Sequence, residues 1–293
     1  CQADRTLYKT AIRALLAATP KLTLIEAEVV DLVIEQGRVT GVVLNDGRTL
    51  AARAVVLTAG TFLAGRIHVG LENREGGRVG DNASTRLAAK LREVMPRVAR
   101  LKTGTPARVH RSSLDFDRME RQEGEAAQPF SFGGAGAPWP SVPCWVTYTN
   151  GETHRVIREG LGRSPLYTGK IVGIGPRYCP SIEDKVVRFP ERQRHQVFVE
   201  PEGLDTDEMY LNGLPSSLPE DVQQAFVRTV AGLEGAVIMR PGYAVEYDYL
   251  NPQQLAADLQ TRRLRGLFLA GQTNGTSGYE EAAAQGLMAG INA

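Results

Sequence analysis

The chain has 293 residues, a formal net charge of +1 and 42% apolar residues. That length holds one large domain or two smaller ones with enough apolar residues for a core. The composition argues against disorder, no apolar run approaches the roughly 18 residues of a membrane span, no signal-peptide pattern opens the chain, and global charge selects no partner. Cys1, Cys144 and Cys179 form no Cys-x-x-Cys pair. Neither a zinc site nor a disulfide framework is supported, and a reducing, cytoplasmic setting is expected. The chain starts at Cys1 rather than Met and enters a helical pattern almost at once, which points to a fragment of a longer protein.

In chain order, residues 3–18 predict a helix capped by Asp4, with Leu7, Tyr8, Ala11, Ile12, Leu15 and Leu16 on one face and Pro20 beyond its end. Leu22 to Ile25 predicts a short strand. Val29–Ile34, Val39–Leu44 and Arg48–Ala52 predict a three-stranded meander with turns at Gln36-Gly37 and Asn45-Asp46-Gly47. Ala54 to Leu57 then predicts a buried strand that ends in Thr58-Ala59-Gly60. This order fits the second half of a flavin-type Rossmann domain, in which a meander replaces a crossover helix. A generic α/β sheet with a hairpin insertion is the alternative.

Residues 61–83, with Gly65, Gly70, Gly76, Gly77 and Gly80, predict a loop close to a ligand or another backbone segment. Ser84 to Val94 predicts a helix that Pro96 terminates. Arg86, Lys90, Arg92, Arg97, Arg100 and Lys102 make either a solvated face or a surface for a phosphate-rich partner. Composition shifts after about residue 105: residues 120–143 carry little periodicity, and 144–200 predict short strands and loops. Leu218 to Leu233 predicts a helix, Leu267 to Ala270 a buried strand, and the chain is helical again from about Tyr279. The expected organisation is a Rossmann-type domain over 1–105, an insertion over 106–225, and a return segment over 226–293.

Four stretches could carry chemistry. Gly271 to Ala283 follows a buried strand and opens a small-residue helix, Ala282 to Gly290. Helix N-terminal amides favour an anion or polarised carbonyl, and glycines admit a flat ring or phosphate; an ordinary strand-to-helix turn is the bland alternative. In Gly173 to Lys185, Cys179 lies near Arg177 and Lys185. Cations, or a helix starting after Pro180, would raise its thiolate fraction. Local sequence alone leaves both roles open, with a buried structural cysteine the more frequent case. Arg177, Lys185, Arg188, Arg192 and Arg194 form a basic stretch suited to phosphates. Leu101 to Pro106 reads as a strand-exit turn, at a nucleotide site or a domain hinge. Arg240 to Asp248 lines a site or, by a slight preference, forms an edge strand with partly exposed aromatics. His154 reads as a surface or hydrogen-bonded histidine rather than a catalytic one. There is no Gly-x-Gly-x-x-Gly at a leading strand and no Walker A loop. A leading βαβ unit would lie upstream of Cys1.

Taken together and in order, these motifs resemble the FAD-binding subunit family of the bacterial tRNA uridine 5-carboxymethylaminomethyl modification enzyme (MnmG, or GidA). The resemblance rests on Gln2 to Arg5, Val55 to Thr58, Gly60 to Leu63, Leu101 to Pro106, Val142 to Cys144, Gly175 to Lys185, Glu200 to Leu204, Arg240 to Asp248 and Gly278 to Gly286. It covers essentially the whole chain. It implies an α/β fold: a partial FAD-binding Rossmann-type (glutathione-reductase-like) domain with a three-stranded β-meander and an inserted α+β nicotinamide-binding domain. By the same resemblance, FAD contacts match Val29, Ser84 and Gln272, with Gly271 and Gly278 in the same turn. The NADH stretch matches Gly175, Pro176, Arg177, Tyr178, Cys179, Pro180, Ser181, Ile182, Glu183, Asp184, Lys185, Val186, Val187, Arg188 and Phe189. Cys179 matches one of two functional cysteines; the other would precede Cys1.

The implied reaction adds a carboxymethylaminomethyl or aminomethyl group to C5 of the wobble uridine of tRNA. Carbon comes from methylenetetrahydrofolate, nitrogen from glycine or ammonium, and NADH regenerates reduced FAD. The implied partners are tRNA and the GTPase MnmE, whose docking domain would follow Ala293, with a homodimer in the full-length protein and no membrane. Cys179 is expected to add to uridine C6, with general acid/base catalysis as the rival role. Two other classes stay open: a folate- and FAD-dependent tRNA uridine methyltransferase, and an inactive truncated piece that only binds RNA or a partner.

Overall fold

The computed structural model describes residues 3–124, 142–175 and 180–293. In chain order they form α1 (Arg5–Ala18), β1 (Val29–Glu35), β2 (Arg38–Leu44), β3 (Thr49–Ala51), β4 (Val55–Leu57), β5 (Arg66–Val69), β6 (Glu72–Glu75), α2 (Thr85–Val94), β7 (Val98–Thr105) and β8 (Arg108–His110). They continue with β9 (Glu120–Gln122), β10 (Cys144–Tyr148), α3 (Gly151–Gly160), α4 (Ile182–Arg188), β11 (Gln196–Pro201), β12 (Glu208–Asn212), α5 (Glu220–Val227), β13 (Ile238–Arg240), β14 (Tyr243–Leu250), β15 (Leu267–Leu269) and α6 (Tyr279–Asn292). The class is the expected mixed α/β.

Contacts divide the chain into two compact units. A flank unit comprises Ile25–Gly104, Pro165–Pro180 and Ala244–Ala293; a middle unit comprises Cys1–Leu24, Thr105–Ser164 and Ser181–Tyr243. Set beside the expected segments 1–105, 106–225 and 226–293, α1 and residues 226–243 group with the middle of the chain, and residues 165–180 with its flanks.

In the flank unit the meander forms as the turn residues predict. β1, β2 and β3 pair antiparallel in that order, Gln36 (φ 48) and Gly37 (φ 74) supply the left-handed turn, and the Asp46 carboxylate accepts the Arg48 N–H at 3.0 Å. β4 and β15 pair in parallel, Val55 with Leu267 and Leu57 with Leu269. A third sheet runs β6-β5-β14-β7. The core joins Leu32 and Val39 of the meander to Leu63, to Leu87, Leu91 and Met95 around α2, and to Leu250, Leu267 and Leu269.

The middle unit is a six-stranded antiparallel sheet ordered β13-β8-β12-β11-β10-β9, with α3, α4 and α5 contributing to its core. β11 shows the half-buried alternation: Val197 and Val199 are buried against Trp145, Met209, Leu211, Ile157, Ile182 and Phe226. Gly160 lets α3 and α5 approach, since a Cβ there would lie 2.7 Å from Val222 Cγ1. Asp4 caps α1 as expected, accepting the Leu7 N–H at 2.7 Å, yet no residue of α1 is buried.

Five local expectations are corrected. Leu22 to Ile25 belongs to no strand, because no strand among the described residues pairs with it. Residues 61–83 are not all loop: β5 and β6 form a hairpin across Gly70 (φ 55). Residues 144–200 contain α3, nucleated by a capping box in which Asn150 accepts the Thr153 N–H and the Thr153 side chain binds back. The helix expected over Leu218–Leu233 is only Glu220–Val227; beyond it the chain tightens into turns through Gly232 (φ 81). Finally, β14 is no edge strand. It lies between β5 and β7, and Tyr247 is wholly buried. Residues 125–141, most of the low-periodicity stretch, lie outside the described residues. Among the described residues no helix is long and apolar enough to cross a membrane.

Candidate functional site

The carboxyl ends of parallel strands are where open α/β sheets place ligands. At that end of β4 and β15 lies a cleft of about 180 Å³, lined by Thr58, Gly60, Ala270, Gly271, Gln272, Thr276, Ser277, Tyr279 and Ala282. Two turns build it. Thr58 to Gly60 leaves β4 and ends in left-handed Gly60 (φ 58); Gly271 (φ 70) and Gly275 (φ 90) bracket the other turn after β15. The Thr273 hydroxyl accepts the Ala59 N–H at 3.0 Å and ties the turns together. Gln285 of α6 reaches back: its Oε1 accepts the Gly271 N–H at 2.9 Å, and its Nε2 donates to Thr276 Oγ1 at 2.9 Å. Asn274 is buried, and its Oδ1 has no hydrogen-bond partner among the described residues.

Of the residues expected at a flavin, Gly271 and Gln272 line this cleft. Val29, Ser84 and Gly278 do not. Val29 opens β1 opposite Leu44, Ser84 precedes α2 with its N–H donated to Phe62 O at 2.8 Å, and Gly278 is the residue before α6. Thr58 and Gly60 line the cleft from outside the stretches that the sequence marks as candidate sites, whereas Thr276, Ser277, Tyr279 and Ala282 lie within Gly271 to Ala283. The signal was present in Thr58-Ala59-Gly60, a turn leaving a buried strand.

The stretch expected at the nicotinamide falls in two parts. Pro176, Arg177, Tyr178 and Cys179 lie outside the described residues. Gly173 to Gly175 packs in the flank unit, and Ser181 to Phe189 in the middle unit. Ser181 caps α4, its Oγ accepting the Asp184 N–H at 3.2 Å. Ile182 and Val186 enter the core. Glu183 is buried and turned inward, its Oε1 accepting the Ser217 N–H at 3.0 Å and the Ser216 and Ser217 hydroxyls at 3.2 and 3.3 Å. Lys185 donates to Gly213 O at 2.9 Å. Gly175, Pro180, Val187, Arg188 and Phe189 are exposed.

The basic residues around α2 and β7 are not simply a solvated face. Arg92 binds Asp248 through Nε and Nη2 at 2.7 and 2.8 Å, and Arg100 binds the same carboxylate at 2.7 Å. Lys102 is buried, and the Leu101–Pro106 stretch continues β7 to Thr105 rather than turning out of it. Glu246, beside Arg100 and His68, is also buried. Burial works to raise its carboxyl, but His68, Arg100 and the Gly173 N–H outweigh that and hold it at about 2.

The remaining candidates are structural. His154 is buried and shares a 2.8 Å hydrogen bond with the Thr149 hydroxyl. Burial lowers the pKa of both His154 and His195. Burial, aided by Glu200, raises the Cys144 thiol, which suppresses its thiolate. Among the described residues no group of His, Cys, Asp or Glu is arranged to hold a metal.

The family model for glucose inhibited division protein A matches residues 1–293. One solved structure of Aquifex aeolicus GidA, from its form I crystal, matches with a TM-score of 0.92 and 46% identity over 99% of this chain and 50% of that one. The form II structure matches at 0.89 and 43%, over 99% of this chain and 47% of that one. The chain therefore spans about half the length of these solved relatives. With the meander, the parallel pair and the cleft at its carboxyl end in place, the match over every residue settles the classification: this chain belongs to the glucose inhibited division protein A (GidA) family.

Proposed function

We propose that this chain is part of a FAD-dependent tRNA-modifying enzyme, with the cleft at the ends of β4 and β15 facing the flavin. The cleft is the observation that carries the reading. Its rim residues Gly60, Ala270, Gly271 and Ala282 are small, so a flat ring can approach the backbone. Thr58, Gln272, Thr276 and Ser277 supply polar atoms there for a ring edge. Bound FAD would supply electron transfer from NADH to the reaction.

The nicotinamide is proposed to lie along Gly175 to Phe189, where exposed Val187, Arg188 and Phe189 are available and buried Ile182, Glu183 and Val186 brace the helix beneath. The substrate is the wobble uridine of tRNA, modified at C5 to the carboxymethylaminomethyl or aminomethyl form. Methylenetetrahydrofolate is the carbon donor and the GTPase MnmE the partner, within a cytoplasmic homodimer. Cys179 carries the covalent step. Its sulfur bonds to C6 and the C5–C6 π electrons shift to make C5 nucleophilic; C5 then bonds to the one-carbon unit of methylenetetrahydrofolate as a folate C–N bond breaks and its electron pair returns to the folate nitrogen, and loss of the C5 proton with expulsion of the thiolate restores the ring.

The test is nucleoside analysis of tRNA treated with the full-length FAD-loaded enzyme, MnmE, NADH and methylenetetrahydrofolate. A C5-carboxymethylaminomethyl or aminomethyl uridine is the expected product. A C5-methyl uridine, or no product, refutes the reading. A covalent enzyme–tRNA adduct that disappears in Cys179→Ser is expected, and normal modification by that variant removes Cys179 from the chemistry.

A further inference from the structure

Three strands of the flank unit bring buried Glu246, buried His68 and half-buried Arg100 around one short piece of backbone. Glu246 of β14 accepts the N–H groups of Val172 and Gly173 on Oε1, at 2.9 and 2.7 Å. Arg100 of β7 lies 3.4 Å from the same oxygen, and His68 of β5 stands 3.6 Å from Oε2. The next residue is tied to β7. The Ile174 N–H donates to Arg100 O at 3.2 Å, and the Lys102 N–H donates to Ile174 O at 3.0 Å. Gly173 is pressed against this strand, since a Cβ there would lie 2.9 Å from the Leu101 carbonyl carbon and 3.1 Å from Glu246 Cγ.

The side chains of the segment do not anchor it. Val172 and Ile174 are 74% and 71% exposed, so apolar burial contributes little. The backbone hydrogen bonds hold the segment, and the two at Val172 and Gly173 end on one carboxylate. A charged acceptor makes these stronger than neutral bonds.

We infer that Glu246 is a positioning residue for the nicotinamide dinucleotide: through Val172 and Gly173 it sets the backbone of Gly173–Ile174–Gly175, where the ligand stretch begins. The inference rests on the proposed NADH reading. Glycine backbone in such a place can approach a phosphate or ring closely, provided its direction is fixed. Glu246 touches no reacting atom; it acts through the segment it holds.

The test uses the full-length, FAD-loaded enzyme and follows bleaching of the flavin by NADH in stopped flow. Glu246→Gln keeps the shape and removes the charge. Gly173→Ala keeps the carboxylate and displaces the backbone from Leu101. Both variants are expected to raise the half-saturating NADH concentration about tenfold while changing the limiting reduction rate by less than about threefold, the pattern of lost binding without lost chemistry. If Glu246→Gln fails to fold, Gly173→Ala alone decides. An unchanged half-saturation in a folded variant with full flavin content overturns the inference. So does loss of flavin in both variants, which assigns Glu246 to general stability. Wild-type enzyme whose flavin NADH does not reduce is a separate outcome: it overturns the dinucleotide reading itself.

Discussion

Replacing Lys102 by Met is expected to stabilise the protein. Lys102 is 1% exposed, and its Nζ has no hydrogen-bond partner among the described residues. An unsatisfied buried polar group costs about 1–3 kcal/mol. Met retains most of the stem's contacts and removes the polar terminus, and a shape-conserving swap costs less than about 1.5 kcal/mol. The balance is a gain of about 1 kcal/mol, a rise in melting temperature of about 2–4 °C for a domain of this size. Calorimetry, with a urea titration whose slope stays constant, measures it. A lower melting temperature refutes the reasoning, because it means the amine makes an interaction that Met cannot replace. Modification activity measured on the same variant adds a second result. A more stable but inactive Lys102→Met identifies an amine kept for function at the expense of stability.

Other consequences follow from the same geometry. Gln285→Leu removes both bonds that hold the Gly271 and Thr276 turn and is expected to weaken FAD binding to the full-length protein about tenfold, with Gln285→Glu weakening it less; equal affinity in all three proteins, by flavin titration, contradicts the clamp. Phe226→Ala opens a cavity in the middle-unit core and is expected to cost about 3–5 kcal/mol in urea unfolding, and a loss below 1 kcal/mol would show that the cluster around Phe226 is not close-packed. Acid acts in two windows. His154 and His195 have folded pKa values below their usual 6.5, so the unfolded chain binds their protons first and stability falls as pH drops below about 6.5. Glu246 is held at about 2 against its usual 4.5, so its contribution is present above about pH 4.5 and lost between there and pH 2. Glu246→Gln should flatten only the lower window of a pH–stability curve, and flattening of the upper one would contradict the assignment.

Short-range causes could be read directly from the sequence. Asp4 announces a helix, Asn45-Asp46-Gly47 closes a hairpin, Pro96 ends α2, and the apolar runs of β4 and β15 mark buried strands. Each effect acts within a few residues, so local chemistry decides it. The turn at Gly271 to Ala283 belongs to this class, so Gly271 and Gln272 are legible without the cleft that they line. The rest depends on which distant segments meet. Leu22 to Ile25 has strand composition, but no strand among the described residues pairs with it. Arg240 to Asp248 has the same local character whether it lies at an edge or between β5 and β7. Arg92 and Arg100 look like solvated cations until Asp248, 156 and 148 residues away, takes both. Glu183 is polar, yet the fold turns it toward Ser216 and Ser217. The sequence by itself determined the family-defining motifs and the turns that bracket the cleft. Only the tertiary structure decided which charged side chains are buried, because a buried charge depends on a partner supplied from elsewhere in the chain. Glu246 shows both halves: its place in a Tyr-Glu-Asp cluster is plain in the sequence, and its hold on Val172 and Gly173 exists only in the folded chain.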